Sequence, residues 1–197
     1  MLGACWPYRR CNVERAELHF RKTIQRLIRW NLNPYDSEPY YNLSLTLKTQ
    51  DRYEEVYVAF YKAVWSYAWR TPGYYAIAEI DCIAQNFDKA IQHLDLSLET
   101  KQKKYKACDP KAAVLRKQGL LTEAETIFKE TIQNDGLDFW AKFELSRLQM
   151  QMGAETGAAS TQKQLATLMR ADANTYADLA FDYVNAGLYE ASLCWQK

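Results

Sequence analysis

Three segments carry one pattern of side chains: "YEEVYVAFYKA" at 53–63, "FDKAIQHLDLS" at 87–97 and "LTEAETIFKET" at 121–131. In each, an apolar residue is followed by a smaller one three positions on, a bulky one four further, and a small one three beyond that. The sets are Tyr53, Val56, Phe60 and Ala63; Phe87, Ala90, Leu94 and Ser97; and Leu121, Ala124, Phe128 and Thr131, each 34 residues after the last. A 3-4-3 spacing puts all four side chains on one stripe of an α-helix, and the small members let a neighbouring helix approach closely. Val13, Ala16, Phe20 and Thr23 form a partial earlier copy.

A second amphipathic stretch lies upstream of each stripe: "YYNLSLTLK" from Tyr40, "YYAIAEIDCIA" from Tyr74 and "KAAVLRK" from Lys111, with "FWAKFELSRL" from Phe139 as a further copy. Short polar turns, "TQDR", "AQNF", "KQGL" and later "NAGL", join the two. The unit is therefore an antiparallel helix pair. Neither helix of such a pair can bury its apolar face alone, so several pairs must stack to make a continuous core.

Composition agrees. Of 197 residues, 48% are apolar and 25% charged, and the seven Gly and five Pro leave few turn signals outside the repeat. The five cysteines, Cys5, Cys11, Cys82, Cys108 and Cys194, are scattered and form no C-x-x-C pair, which argues against a disulfide framework or a zinc site. His19 and His93 have no ligand-spaced companion. Leu2-Gly3-Ala4-Cys5 resembles a lipidation tetrapeptide but has only Met1 before it, and no apolar run reaches the length of a membrane span. The reading is cytoplasmic, without metal, cofactor or membrane.

The 34-residue step, the helix-turn-helix unit and the small/bulky stripe resemble the tetratricopeptide repeat (TPR) family over residues 12–197, most strongly from Tyr40 to Phe143. The resemblance implies an all-α solenoid of antiparallel helix pairs, a right-handed superhelix whose first helices line a concave groove. About five to six units are expected within one domain, the terminal ones partial: 12–34, 38–70, 72–102, 104–135, 138–170 and 173–197. Segments such as "WPYRRCNVERA" and "LDFWAKFELSRL" are also similar to the helical region of large uncharacterised bacterial proteins that carry a carbohydrate-enzyme-like β domain.

Several local departures sharpen these expectations. The link from "RLIRW" to "YDSEP" is long, so the first helix is expected to overrun. Thr71-Pro72-Gly73 is expected to mark the passage between units, with Thr71 as cap and Pro72 in a first turn. Asp109 either caps a late start at Pro110 or marks a kink, and 153–174 reads as a loose or shortened helix whose apolar face is Leu165, Leu168 and Met169. "CWPYRRCN" and "LYEASLCWQK" supply no convincing polar cap, which suggests a piece of a longer protein or self-association through an uncapped end.

Groove candidates by helical phase are Tyr41, Asn42, Leu45 and Lys48; Tyr75 and Glu79, with Cys82; Arg116 and Lys117; and Lys142, Leu145 and Gln149. An apolar and aromatic floor with flanking charge suits an extended peptide or an amphipathic helix. The family's carboxylate clamp is not matched, because Pro72 and Ala76 stand where its cations would be.

Catalysis is not expected. Glu79 and Asp81 lie two apart on a helix and point away from each other, so they cannot serve one bond. Asp81 turns to the helix packing, with Arg70 or a nearby Tyr or Trp as the expected donor. The basic stretches Arg9, Arg10, Arg15, Arg21, Lys22, Arg26, Arg29 and Lys101, Lys103, Lys104, Lys106, Lys111, Arg116, Lys117 sit in a chain of net charge +1, so they read as solvated faces, not a nucleic-acid site. The function expected is a scaffold that binds a protein or peptide, or a domain of the same longer chain. The alternative is an accessory part of a carbohydrate-active protein.

Overall fold

The computed structural model describes residues 6–29, 36–99, 107–170 and 172–188, with side chains from Asn12 onward. Among these there are ten helices and no strand: α1 Trp6–Ile28, α2 Glu38–Lys48, α3 Tyr53–Ala63, α4 Tyr67–Ile83, α5 Phe87–Glu99, α6 Cys108–Lys117, α7 Leu121–Asn134, α8 Phe139–Gln151, α9 Glu155–Met169 and α10 Ala173–Asn185. The contacts divide the chain into two compact units, Met1–Ile77 and Ala78–Lys197.

Every helix pair turns on the same device. Asp51, Gln85, Gly119, Gly153 and Gly187 have left-handed backbone, with φ of 58°, 58°, 84°, 78° and 72°. They recur every 34 residues. After each one, the next N–H bonds five residues back: Arg52 to the Leu47 carbonyl, Asn86 to Asp81, Leu120 to Leu115, Ala154 to Gln149 and Leu188 to Tyr183, at 2.8–3.3 Å. This Schellman geometry satisfies the last carbonyls of the first helix. In the four complete pairs the residue after the left-handed one then opens the second helix, as Arg52, Asn86, Leu120 and Ala154 accept from Val56, Ala90, Ala124 and Ala158.

The stripes point inward as expected. Val56, Phe60 and Ala63, Ala90, Leu94 and Ser97, and Ala124, Phe128 and Thr131 are buried, while the leading Tyr53, Phe87 and Leu121 are half-buried. Cutting Phe60 or Phe128 back to alanine would cost about 3–5 kcal/mol.

Four local expectations are corrected. Thr71-Pro72-Gly73 does not separate units: α4 starts a turn earlier, at Tyr67, and Pro72 lies inside it. The joint is instead Val64–Ser66, where Trp69 N–H bonds the Ser66 carbonyl at 3.1 Å. Gly73 is there for closeness, since a Cβ on it would overlap Val64 Cγ1. Asp109 is neither cap nor kink, because α6 begins at Cys108 and Asp109 lies buried in its first turn. The helix after Gly153 is neither loose nor short: α9 has 15 residues, with Leu165 and Met169 buried but Leu168 39% exposed. The donor for Asp81 is not Arg70, Tyr or Trp; His93 Nδ1 on α5 lies 2.6 Å from Asp81 Oδ2, both buried.

α1 is one helix of 23 residues that ends at Ile28, and the link 30–35 into which an overrun is expected lies outside the described residues. The 34-residue step would put a left-handed turn at Glu17. Glu17 instead sits mid-helix and ties α1 to the turn of the next pair, accepting from Arg21 at 2.7 Å, Gln50 at 2.9 Å and Arg52 at 2.9 Å. Burial raises the Glu17 pKa, but these hydrogen bonds outweigh it and hold the carboxyl below its ordinary value. Arg21 and Arg52 also bind Glu55 on α3.

The turns give a direct test. A left-handed residue with a Cβ costs about 1–2 kcal/mol relative to right-handed backbone, a penalty glycine escapes. Gln85 is exposed, so Gln85→Gly is expected to gain about 1 kcal/mol and raise the melting temperature by a few degrees. Gly187→Ala is expected to lower it by more. Its Cβ would collide with the Glu79 carbonyl oxygen and stand 2.9 Å from Ile83 Cγ1. Circular-dichroism melts of both variants measure this.

Candidate functional site

The faces of the first helices turned away from their partner helices differ between the two units. In the first unit α2 presents Tyr41, Asn42 and Lys48 half-buried and Leu45 41% exposed. Tyr41 is fixed in place: its ring stacks on Trp69 with centroids 4.4 Å apart and meets the edge of Phe60 at 5.5 Å. Tyr75 is half-buried on α4. A cleft of about 560 Å³ opens elsewhere on this unit, between α1, α2 and α3. Its floor is Ile24, Leu43, Leu47 and Ala59, and Arg21, Glu54 and Lys62 are on its rim. No sequence pattern announced it.

In the second unit the corresponding face is covered. Glu79, Cys82, Asp109, Arg116, Trp140 and Glu144 are all buried. The cover is α10. Tyr183 is fully buried, with its ring 5.1 Å from that of Trp140 and 6.0 Å from that of Phe143, and its hydroxyl donates to Glu144 Oε1 at 2.6 Å. Beyond it the Gly187 turn rests on the Glu79 carbonyl and Ile83. Leu179, Tyr183, Ala186 and Leu188 thereby join the core cluster that contains Cys82, Ala113 and Trp140.

Glu144 is the polar centre of this arrangement. Arg116 grips it with Nε at 2.6 Å and Nη2 at 3.2 Å, and Arg147 Nη1 lies 3.6 Å away. A fully buried carboxylate persists only with such partners. Burial, then the Glu144 charge, raise the Tyr183 pKa, so its phenol stays a donor.

The candidate residues therefore separate. Arg116 is committed to Glu144, and Lys117 Nζ stands over the Phe87 ring at 5.5 Å from its centroid. Lys142, Leu145 and Gln149 are out of phase with the α2 set. Gln149 turns to α9, accepting from Thr161 Oγ1 at 3.0 Å, and Leu145 belongs to the core. Three steps of 34 residues beyond Tyr41, Asn42, Leu45 and Lys48 lie Phe143, Glu144, Arg147 and Met150. Carrying the step through to α8 would have found Glu144.

The basic stretches are partly neutralised within the fold, Arg21 by Glu17 and Glu55, Lys111 by Asp95 at 2.5 Å, and Arg116 by Glu144. The side chains of Arg9 and Arg10, and Lys101, Lys103, Lys104 and Lys106, lie outside the described residues, as do both chain ends on which the uncapped-end reading rests. Cys82 and Cys108 are free thiols; the side chains of Cys5, Cys11 and Cys194 are outside the described residues. Burial and then the Asp81 charge push the Cys82 thiol up to about 12, which leaves it inert. Among the described residues no group of His, Cys, Asp and Glu could hold a metal ion, and no helix is long and apolar enough to cross a membrane.

Solved structures similar to this chain are helical-repeat proteins. A tetratricopeptide repeat protein from Parabacteroides merdae ATCC 43184 superposes with TM-score 0.75 at 14% identity, over 94% of this chain and 72% of its own. MamA gives 0.71 at 14%, over 86% and 96%. YrrB, a TPR protein with an unusual peptide-binding site, gives 0.63 at 17%, over 88% and 87%. No family model matches the sequence, and no curated protein matches it. The fold is thus all-α with TPR-like helix pairs, the class that the repeat pattern implied.

Asp109 supplies a pH test of the covered face. It is 4% exposed, its Oδ1 has no partner, and burial followed by the Asp138 charge pushes its carboxyl up to about 9. Its folded pKa lies above the unfolded value, so the unfolded chain releases this proton first. Stability is therefore expected to fall as pH rises from about 4 to about 9. Asp109→Asn keeps the neutral shape and is expected to raise the melting temperature by several degrees at about pH 8 and to flatten that decline. Thermal melts across this range measure it.

Proposed function

We infer that this chain is a non-catalytic protein–protein interaction scaffold, and that the α2 face of the first unit takes a peptide, a helix or a neighbouring domain. The observation that carries this is the accessible, pre-organised set on α2. Leu45 is 41% exposed beside Asn42 and Lys48, and Tyr41 is held by Trp69. A rigid aromatic next to an exposed aliphatic side chain and a cation forms a low-entropy contact patch. The TPR-like fold and the peptide-binding site of YrrB support the reading. So does the burial of Asp81 with His93 and of Glu144 with Arg116, which keeps these two carboxylates away from a substrate in solvent. A cytoplasmic setting is part of this proposal on the strength of the scattered cysteines, whereas a bacterial source and the alternative reading, a place beside a carbohydrate-enzyme-like domain, rest on the sequence resemblance. A sugar-binding role for the groove gains nothing from Tyr41, whose ring is already stacked.

The test is in-cell cross-linking and affinity capture with wild type, Leu45→Glu and Lys48→Glu, beside an oligosaccharide panel. A partner captured by wild type is expected to be lost at least tenfold by Leu45→Glu, with the melting temperature unchanged. Oligosaccharide binding abolished by Tyr41→Ala, with no protein partner dependent on Leu45, would overturn the scaffold reading.

A further inference from the structure

We propose that the face of α4, α6 and α8 in the second unit is a docking surface for a partner's amphipathic helix bearing a tyrosine and, three to four residues on, two small residues, and that α10 is its tethered occupant. This deepens the scaffold reading by naming a partner class, and rests on it for the claim that the face is used.

The surface has the parts of a recognition site. Trp140 and Phe143 frame a slot for one aromatic ring, and Glu144 at its end accepts the ring's hydroxyl. Arg116 on α6 holds Glu144 by two hydrogen bonds, so the acceptor stays aimed without α10. At the other end the α4 backbone at Glu79 and Ile83 admits Gly187 but not a Cβ. Tyrosine, four residues, glycine is therefore the spacing the surface reads: an aromatic anchor with a polar tip, followed by a close backbone approach.

The occupant is held along one side only. In α10 and its turn Leu179, Tyr183, Ala186 and Leu188 are buried, whereas Phe181 is 63% and Val184 37% exposed. Its N-terminus follows closely on α9, where Arg170 is left-handed at φ 51° and Asp172 accepts from Asn174 N–H at 3.2 Å. These anchors act together with the tether, which confers an effective concentration of about millimolar. An untethered helix with the same anchors competes once it exceeds that advantage, or once the internal copy is weakened.

The experiment uses a fluorescent peptide copying residues 172–188, titrated onto full-length chain as wild type and as Tyr183→Ala, with anisotropy as the readout. The peptide is expected to bind Tyr183→Ala at least tenfold more tightly than wild type. A Tyr183→Phe version of the peptide is expected to bind at least fivefold more weakly. If Tyr183→Ala does not fold by circular dichroism, Gly187→Ala replaces it, since it lifts the far end of α10 and leaves the tyrosine slot intact. Equal binding to wild type and the opened variant, indifference to the peptide's hydroxyl, or no binding to either chain would overturn the proposal. A wild-type dimer that the peptide splits into monomers, seen by sedimentation, would assign the face to a second copy and also overturn it. Failure of the peptide with Leu45-dependent capture retained sinks this inference alone and leaves the scaffold reading standing.

Discussion

The left-handed residue that closes each first helix is the constraint on which the rest depends. Asp51, Gln85, Gly119, Gly153 and Gly187 stand at equal intervals, and each of the first four reverses the chain into the next helix. The reversal fixes the register of the second helix against the first. In α3, α5 and α7 that register puts the small/bulky stripe on the inner side. A shift of one position would rotate a stripe by about 100° and expose its large residue. Where the device is missing no turn forms: at Glu17 the helix runs straight on, and α1 is tied to the next pair by a carboxylate and two arginines instead.

The same turn explains why α10 can leave the stacking pattern without losing its own geometry. Leu188 N–H bonds the Tyr183 carbonyl at 2.9 Å as in the other turns, so the local chemistry of a repeat is intact. What differs is the neighbour. Tyr183 faces Glu144, Trp140 and Phe143 on α8, and the glycine meets α4. Local turn chemistry sets how a helix ends, whereas the partner it packs against is decided by side-chain complementarity over long sequence separation.

That division accounts for what was legible in the sequence. The helix pairs, their stripes and their turns depend on residues within about one repeat, and periodicity reads them directly. The structure places Val56, Phe60, Ala90, Leu94, Ala124 and Phe128 in the core as the spacing required. Less was legible where one residue type serves two purposes. Pro72 reads as a helix start because proline favours a first turn, but here α4 takes its first turn before it, and Gly73 is needed for contact with Val64. Asp109 reads as a cap because aspartate favours that place, yet it is buried, and burial followed by the Asp138 charge pushes its carboxyl up to about 9. On the site, the α2 face followed from helical phase, but Lys142, Leu145 and Gln149 were one phase away from the Glu144 side of α8. Nothing within α8 marks that side, because its apolar and polar residues alternate around the whole helix.

Glu144 shows why such a position resists local reading. A glutamate with no exposure would be unfavourable in isolation, and the arginine that makes it tolerable is 28 residues upstream while the tyrosine that completes it is 39 downstream. Removing Arg116 would leave a buried charge, a loss of about 3–5 kcal/mol, whereas removing the Tyr183 hydroxyl would cost only about 1–3 kcal/mol because the carboxylate keeps its arginine. The two partners are therefore unequal. Arg116 is the partner that Glu144 depends on, and the Tyr183 hydroxyl is the one whose loss costs less.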